Sequence, residues 1–336
     1  MPPLTSEGSK LSSRIQVSRG MRTVLAGTVL LYIASAFIAP TSVSKVAQLG
    51  MLPFAACLAI VGLGQTLVIQ QGGIDLSVAG AVSLTVVIVT WGPNRVDSRL
   101  IPSIGAAFIV AIITGIINGI LVTKTKLNSI VATLGVNALL YGVMMALSGG
   151  SPRRTTDRLA NFTNKTIFML PHSVYFGIIC AIVVTVILKR TVIGRRFEAV
   201  GANPAAAYAS GINIIRYQFG GYIAAQILYC IAGIVLGGVI SQPTAYQGDE
   251  YVLPSVAVVV LGGTSLLGGR GFPAASAVAA LFLKQLDMFV LSLGVPYGVR
   301  TLVISVSLML GIALYRVNWK IFTDKLTTRR GQTSPT

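Results

Sequence analysis

The chain has 336 residues, 54% of them hydrophobic and only 10% charged, with a mean hydropathy of +0.79. A soluble domain carries about 25% charged residues, so a soluble enzyme, a disordered chain and a disulfide-stapled fold are all excluded. The formal charge of +17 raises nucleic acid as a partner, but in a membrane protein Lys and Arg mark cytoplasmic loops instead.

Taken in chain order, the apolar runs predict an all-α polytopic membrane protein of about ten transmembrane helices, some broken or re-entrant. A basic segment, residues 1–20, comes first, and spans are expected near Met21–Ala39, Met51–Ile69, Leu76–Trp91, Ile101–Val122 and Ile130–Leu147. The remainder fall near Ser173–Leu188, Phe219–Ile240, Leu253–Leu267, Pro273–Leu293 and Thr301–Tyr315, followed by a basic tail, residues 316–336. No small-x-small site ends the first run, which therefore reads as a helix and not as a cleaved signal. The runs are solidly apolar without alternation, which argues against a β-barrel.

Ten spans over residues 21–315 put both termini on one side. With that side cytoplasmic, 17 of the 26 Lys and Arg lie inside, 8 lie outside and Lys284 sits within a span. This bias predicts both termini inside and accounts for the net charge without nucleic acid. The polar outside loop 148–171 is long enough for structure of its own, and a second, Ser241–Tyr251, carries Asp249 and Glu250. The longest cytoplasmic connection between spans is 189–218.

That connection contains a short helix signal. Asn203 is a good N-cap, Pro204 suits the first helical position, Ala205, Ala206, Ala207 and Ala209 favour helix, and Gly211 fits the stop. About two turns are marginal alone and need packing from something else. Either the helix rests on its own bundle, or it enters a cytoplasmic partner.

Four segments in order give the chain a resemblance. They are Gly72-Gly73-Ile74-Asp75-Leu76-Ser77-Val78, Ile130-Val131-Ala132-Thr133-Leu134-Gly135, the stretch from Gly194 to Ile212, and Ala257-Val258-Val259-Val260-Leu261-Gly262-Gly263-Thr264-Ser265-Leu266. Over about Leu52 to Leu314 the chain resembles the simple-sugar (ribose/xylose type) permease subunits of bacterial ABC importers. The resemblance implies a multi-pass protein of the bacterial inner membrane, surrounded by membrane lipid. It further implies a cytoplasmic ABC ATPase, a periplasmic or extracellular substrate-binding protein, and a second permease subunit, either a copy or a paralogue. Under it, Arg195, Arg196, Glu198, Gly201, Asn203, Pro204, Ala206, Ser210 and Gly211 belong to the ATPase-coupling segment. The chain departs from the family at Lys284-Gln285-Leu286-Asp287-Met288-Phe289, where many relatives carry a small Asn-rich polar patch.

Asp75 is the sharpest single position, because a carboxylate at the centre of a span costs about 2.5–3.5 kcal/mol on insertion scales. Gly72-Gly73 lets the backbone break, and two readings of Asp75 and Ser77 then fit: capping of the next helix, or direct contact with a solute. Gly262-Gly263-Thr264-Ser265-Leu266 echoes Gly72-Gly73-Ile74-Asp75-Leu76 as a weak internal repeat. Lys284 and Asp287, three apart, face one way on a helix and are expected to pair. Asn118, Thr133, Asn137 and Gln226 are polar residues within spans, whose default role is interhelical hydrogen bonding. Together with Asp75, Ser77, Thr264, Ser265 and Asp287, they are the candidate substrate-pathway residues.

No metal site or cofactor is expected, since Cys57, Cys180 and Cys230 lie in separate apolar runs and His172 stands alone. No Gly-x4-Gly-Lys-Ser/Thr string occurs, so ATP would be hydrolysed by another chain. The leading expectation is an ATP-driven permease subunit importing a monosaccharide or sugar-like solute by alternating access, and not an enzyme. The alternative is an ion-coupled secondary transporter using Asp75 or Asp287 as its membrane acid. An intramembrane aspartyl protease is the weakest reading, because Ile74 precedes Asp75 where that family's motif has glycine.

Overall fold

The computed structural model describes residues 19–309, apart from 152, 241, 297, 304, 307 and 308. The basic segments expected at 1–20 and 316–336 therefore fall almost wholly outside the described residues, as does most of the expected span Thr301–Tyr315.

Seven described helices are long and apolar enough to cross a membrane. They are α1 (Arg19–Ile38), α2 (Lys45–Gln70), α4 (Leu100–Thr123), α5 (Ser129–Ser148), α7 (His172–Arg190), α10 (Ile214–Val239) and α12 (Pro273–Ser292). Two further expected spans are short: α3 (Val78–Trp91) and α11 (Val252–Leu261). At about 1.5 Å per residue they reach about 21 and 15 Å, against about 30 Å of hydrocarbon. Both begin within two residues of the expected Leu76 and Leu253, and only the second ends earlier than expected. Glycine-rich breaks end α2 before α3 begins, and end α11 at Leu261 instead of Leu267.

The outside loop folds into α6 (Asp157–Asn164) and a two-residue hairpin of β1 (Thr166–Ile167) and β2 (Leu170–Pro171). The long inside connection folds into α8 (Val192–Ala202) and α9 (Pro204–Ala209).

Packing is centred on α2, buried along most of its length, and on α10, which lies against α2, α3 and α4. Small residues permit the closeness, as expected where helix association rests on van der Waals contact. Gly115 and Gly119 of α4 take Ile223 and Phe219, while Gly233 and Gly237 of α10 take Thr85 and Val89. Around this centre, α1, α4, α5 and α7 expose Leu, Ile and Val outward, among them Leu30, Ile109, Leu139 and Ile182. Water would not tolerate such a surface; lipid requires it. Cys57 and Cys230 are buried and Cys180 is half-buried, all unbridged.

Candidate functional site

The first break follows α2. Gly72 adopts φ +80°, and the Gly73 amide donates to Val68 O (3.2 Å) while the Gly72 amide donates to Ile69 O (2.9 Å). This paired closure is a Schellman motif, which satisfies the last carbonyls of a helix. The chain then runs through Ile74, Asp75 and Leu76 before α3 starts. In the bilayer each exposed amide of that stretch needs a partner.

Neighbouring helices supply them. The face of α5 made by Ser129, Thr133 and Asn137, each one turn after the last, reads the break like a comb. Ser129 Oγ accepts from Ile74 N (3.1 Å), Thr133 Oγ1 from Leu76 N (2.9 Å), and Asn137 Oδ1 from Gly80 N (2.7 Å). Gly80 is the third residue of α3, so Asn137 performs from another helix the task normally done by an N-cap side chain. Asp75 closes the turn locally, its Oδ1 accepting from Ser77 N (2.9 Å) and Ser77 Oγ (2.5 Å). Gln226 Nε2 of α10 donates to Asp75 Oδ2 (3.0 Å) and Ser77 Oγ (2.8 Å), and Asn118 Nδ2 of α4 donates to Ser77 Oγ (2.8 Å).

Six sequence-predicted residues therefore meet in one knot: Asp75, Ser77, Asn118, Thr133, Asn137 and Gln226. Five of them, all but Asn137, are fully buried. Among the described residues no ion pair involves Asp75, so its carboxyl group is held by hydrogen bonds alone. Ser129 was not singled out from the sequence. Its signal was the i, i+4, i+8 spacing with Thr133 and Asn137.

Thr264 and Ser265 sit at the second break, away from the knot. Gly263 adopts φ +90°, the Thr264 amide donates to Val259 O (3.1 Å), and the Gly263 amide donates to Val260 O (2.9 Å). The hydrogen bonds repeat those of the first break, but in a register one residue off the sequence echo: Gly263 corresponds to Gly72, and Leu266 to Asp75. Thr264 Oγ1 then accepts from Phe272 N (3.1 Å), just before α12.

Asp287 corrects the expected pairing with Lys284. Its carboxylate is held by Arg300 through two contacts, Nε to Oδ1 at 2.5 Å and Nη2 to Oδ2 at 2.6 Å. A bidentate guanidinium fork outcompetes a single ammonium, and Lys284 Nζ lies 5.8 Å from the Tyr251 ring centre. A further polar group was missed by the sequence reading. Tyr32 and Ser42 contact Gln48, which donates to Gln285 Oε1 (2.8 Å), and Gln285 donates to Ser35 Oγ (3.1 Å).

The expected cap at Asn203 is present: its Oδ1 accepts from Ala206 N (3.1 Å), Pro204 opens α9, and Gly211 takes φ +76°. Ala205, Ala206 and Ser210 are exposed, and Tyr208 is 74% exposed, so the outer side of α9 carries small residues and one tyrosine. The stretch before it is itself helical. On α8, Gly194, Phe197 and Val200 are buried while Arg195 and Arg196 point outward. Glu198 lies between Lys189 (3.3 Å) and Arg270 (3.8 Å).

The family described as "Branched-chain amino acid transport system / permease component" matches residues 48–314. The ribose import permease protein RbsC of Haemophilus influenzae is 32% identical over 286 residues, covering 82% of this chain and 87% of its own. The autoinducer 2 import system permease protein LsrD of Photorhabdus temperata is 32% identical over 251 residues, 71% of this chain and 74% of its own. A probable ABC transporter permease protein, y4mJ of Sinorhizobium fredii, is 34% identical over 245 residues, 71% and 72% of the two chains. No solved structure matches.

Proposed function

Since this chain belongs to the branched-chain amino acid transport system / permease component family, we propose that it is the membrane subunit through which an ATP-driven importer moves a monosaccharide or sugar-like solute. It is a multi-pass inner-membrane permease and not an enzyme. The relatives named for ribose and autoinducer 2 import support the solute class, and y4mJ supports the ABC mechanism over ion coupling.

In this reading α9 is the coupling element. ATP binding and hydrolysis in a cytoplasmic ATPase shift α8 and α9, and the spans rearrange around a path shared with a second permease subunit. A periplasmic or extracellular binding protein delivers the solute. The knot around Asp75 holds a broken helix in register, and this supports a structural role over solute contact: five of its side chains are fully buried and both carboxyl oxygens of Asp75 already accept hydrogen bonds from Ser77 and Gln226.

The observation that carries the coupling role is α9 itself, capped by Asn203, exposed, and faced with alanine. Ala206→Arg adds bulk there without touching the membrane helices. The variant should insert normally, fail to copurify with its ATPase, and lose uptake of whichever sugar the wild-type complex accumulates from a panel of labelled pentoses and hexoses, ribose among them. Wild-type copurification and uptake in an inserted variant would remove α9 from the coupling role.

A further inference from the structure

The last carbonyls of a helix need partners, and that of Gln70, at the end of α2, finds an unusual one. It accepts from the Gly269 amide at 2.9 Å, so the loop of the second break closes the helix of the first. The end of α8 arrives at the same oxygen. A Cβ placed on Gly201 would lie 2.0 Å from Gln70 O, and one on Gly268 would lie 2.8 Å from Gly201 O and 3.3 Å from Gln70 O. Real Cβ atoms do not approach backbone within 3.0 Å, so at Gly201 and Gly268 only glycine lets these backbones touch. Gly268 and Gly269, at φ +88° and +96°, are in addition held where side chains are disfavoured. One hydrogen bond ties the remaining pair: Gln71 Nε2 donates to Phe197 O of α8 at 2.8 Å.

We infer that Gln70, Gly201 and Gly268–Gly269 form a three-way backbone junction that carries movement of α8 to both helix breaks at once, with Gly201 and Gln71 as its positioning residues. The inference rests on the reading of α8 and α9 as the coupling segment, and adds how that segment grips the membrane part. A push on α9 reaches α8, its immediate neighbour. From α8 it reaches the Gln70 carbonyl, two residues before the first break, and Gly268–Gly269, in the loop of the second. Both breaks then move as one unit, and the repeated Schellman closures are hinges on a common pin. The Glu198 contacts with Lys189 and Arg270 lie on the exposed rim and contribute little by comparison.

The test uses the full chain reconstituted with its ATPase. Gly201→Ala sets a methyl against the Gln70 carbonyl and prises α8 from the junction without altering the α9 face. The amount of permease–ATPase complex should stay within about twofold of wild type, whereas sugar moved per ATP hydrolysed should fall at least tenfold. A merely structural role would lower complex, hydrolysis and uptake together and leave that ratio unchanged, which would overturn the inference. A ratio within twofold of wild type in a well-assembled variant would overturn it equally. Should Gly201→Ala fail to insert, Gln71→Leu removes only the bond to Phe197 O; a ratio lowered twofold to fivefold is then expected, and an unchanged ratio overturns the junction. Failure of the coupling reading itself is seen separately, as wild-type ATPase copurification by Ala206→Arg.

Discussion

Asp75 shows how far a single residue is readable. A carboxylate within an apolar run is costly enough to mark itself, and Ser77, Asn118, Thr133, Asn137 and Gln226 stand out for the same reason. Their convergence was hidden, because contacts spanning 41 to 151 residues leave no local pattern. Asp287 was misread for the opposite reason: Lys284 one turn away offered a local partner, while Arg300 lies 13 residues on. Two outcomes follow at this scale. Asp75→Leu removes the acceptor of Ser77 and Gln226 and should sharply lower the yield of folded protein, whereas Asp75→Asn should retain most of it. Size-exclusion yield in detergent reads the difference, and a normal yield for the leucine variant would mean the knot is dispensable. Asn137→Ala leaves the Gly80 amide without its acceptor, so the thermal midpoint should drop by the equivalent of about 1–3 kcal/mol.

Among the described elements, helices lie at the first nine apolar runs, because length and hydropathy decide a span. The two breaks were flagged by glycine pairs, yet their register came out one residue off. Residue identity aligns Gly72 with Gly262, whereas the hydrogen bonds align Gly72 with Gly263, the position with positive φ. The helical nature of α8 was also missed, since Gly194 and Gly201 at its ends resemble loop residues until the close packing they permit is seen. The corrected register makes a prediction. A Cβ at Gly72 meets nothing nearer than 3.9 Å, so Gly72→Ala should cost only the conformational penalty, about 1–2 kcal/mol. Gly72→Asn should cost less, because asparagine tolerates the left-handed region. Gly262→Ala, by contrast, collides with α12 at Ser276 N, 2.7 Å away. Melting midpoints should therefore rank wild type, Gly72→Asn, Gly72→Ala and Gly262→Ala in falling order; a Gly262→Ala variant as stable as wild type would contradict the packing described.

At the scale of the molecule, the Lys and Arg bias sets a direction that labelling can check. Asn161 and Ser210 are both exposed. A cysteine at Asn161 should react with an impermeant thiol reagent in intact cells, and one at Ser210 only after permeabilisation; the reverse would invert the orientation and detach α9 from any cytoplasmic ATPase. The knot also has a place in time. Asp75 and Gln226 are 151 residues apart, and at about 5–20 residues per second the ribosome reaches the second roughly 8–30 s after the first. Through that interval α3 has left the tunnel with the α10 side of its turn unmade, and it is too short to cross the bilayer unaided. Its final seating is therefore a late step of biogenesis, waiting on α10. Ribosome-bound chains halted before Gln226 should leave a cysteine at Ser77 open to alkylation, and chains halted beyond α10 should shield it.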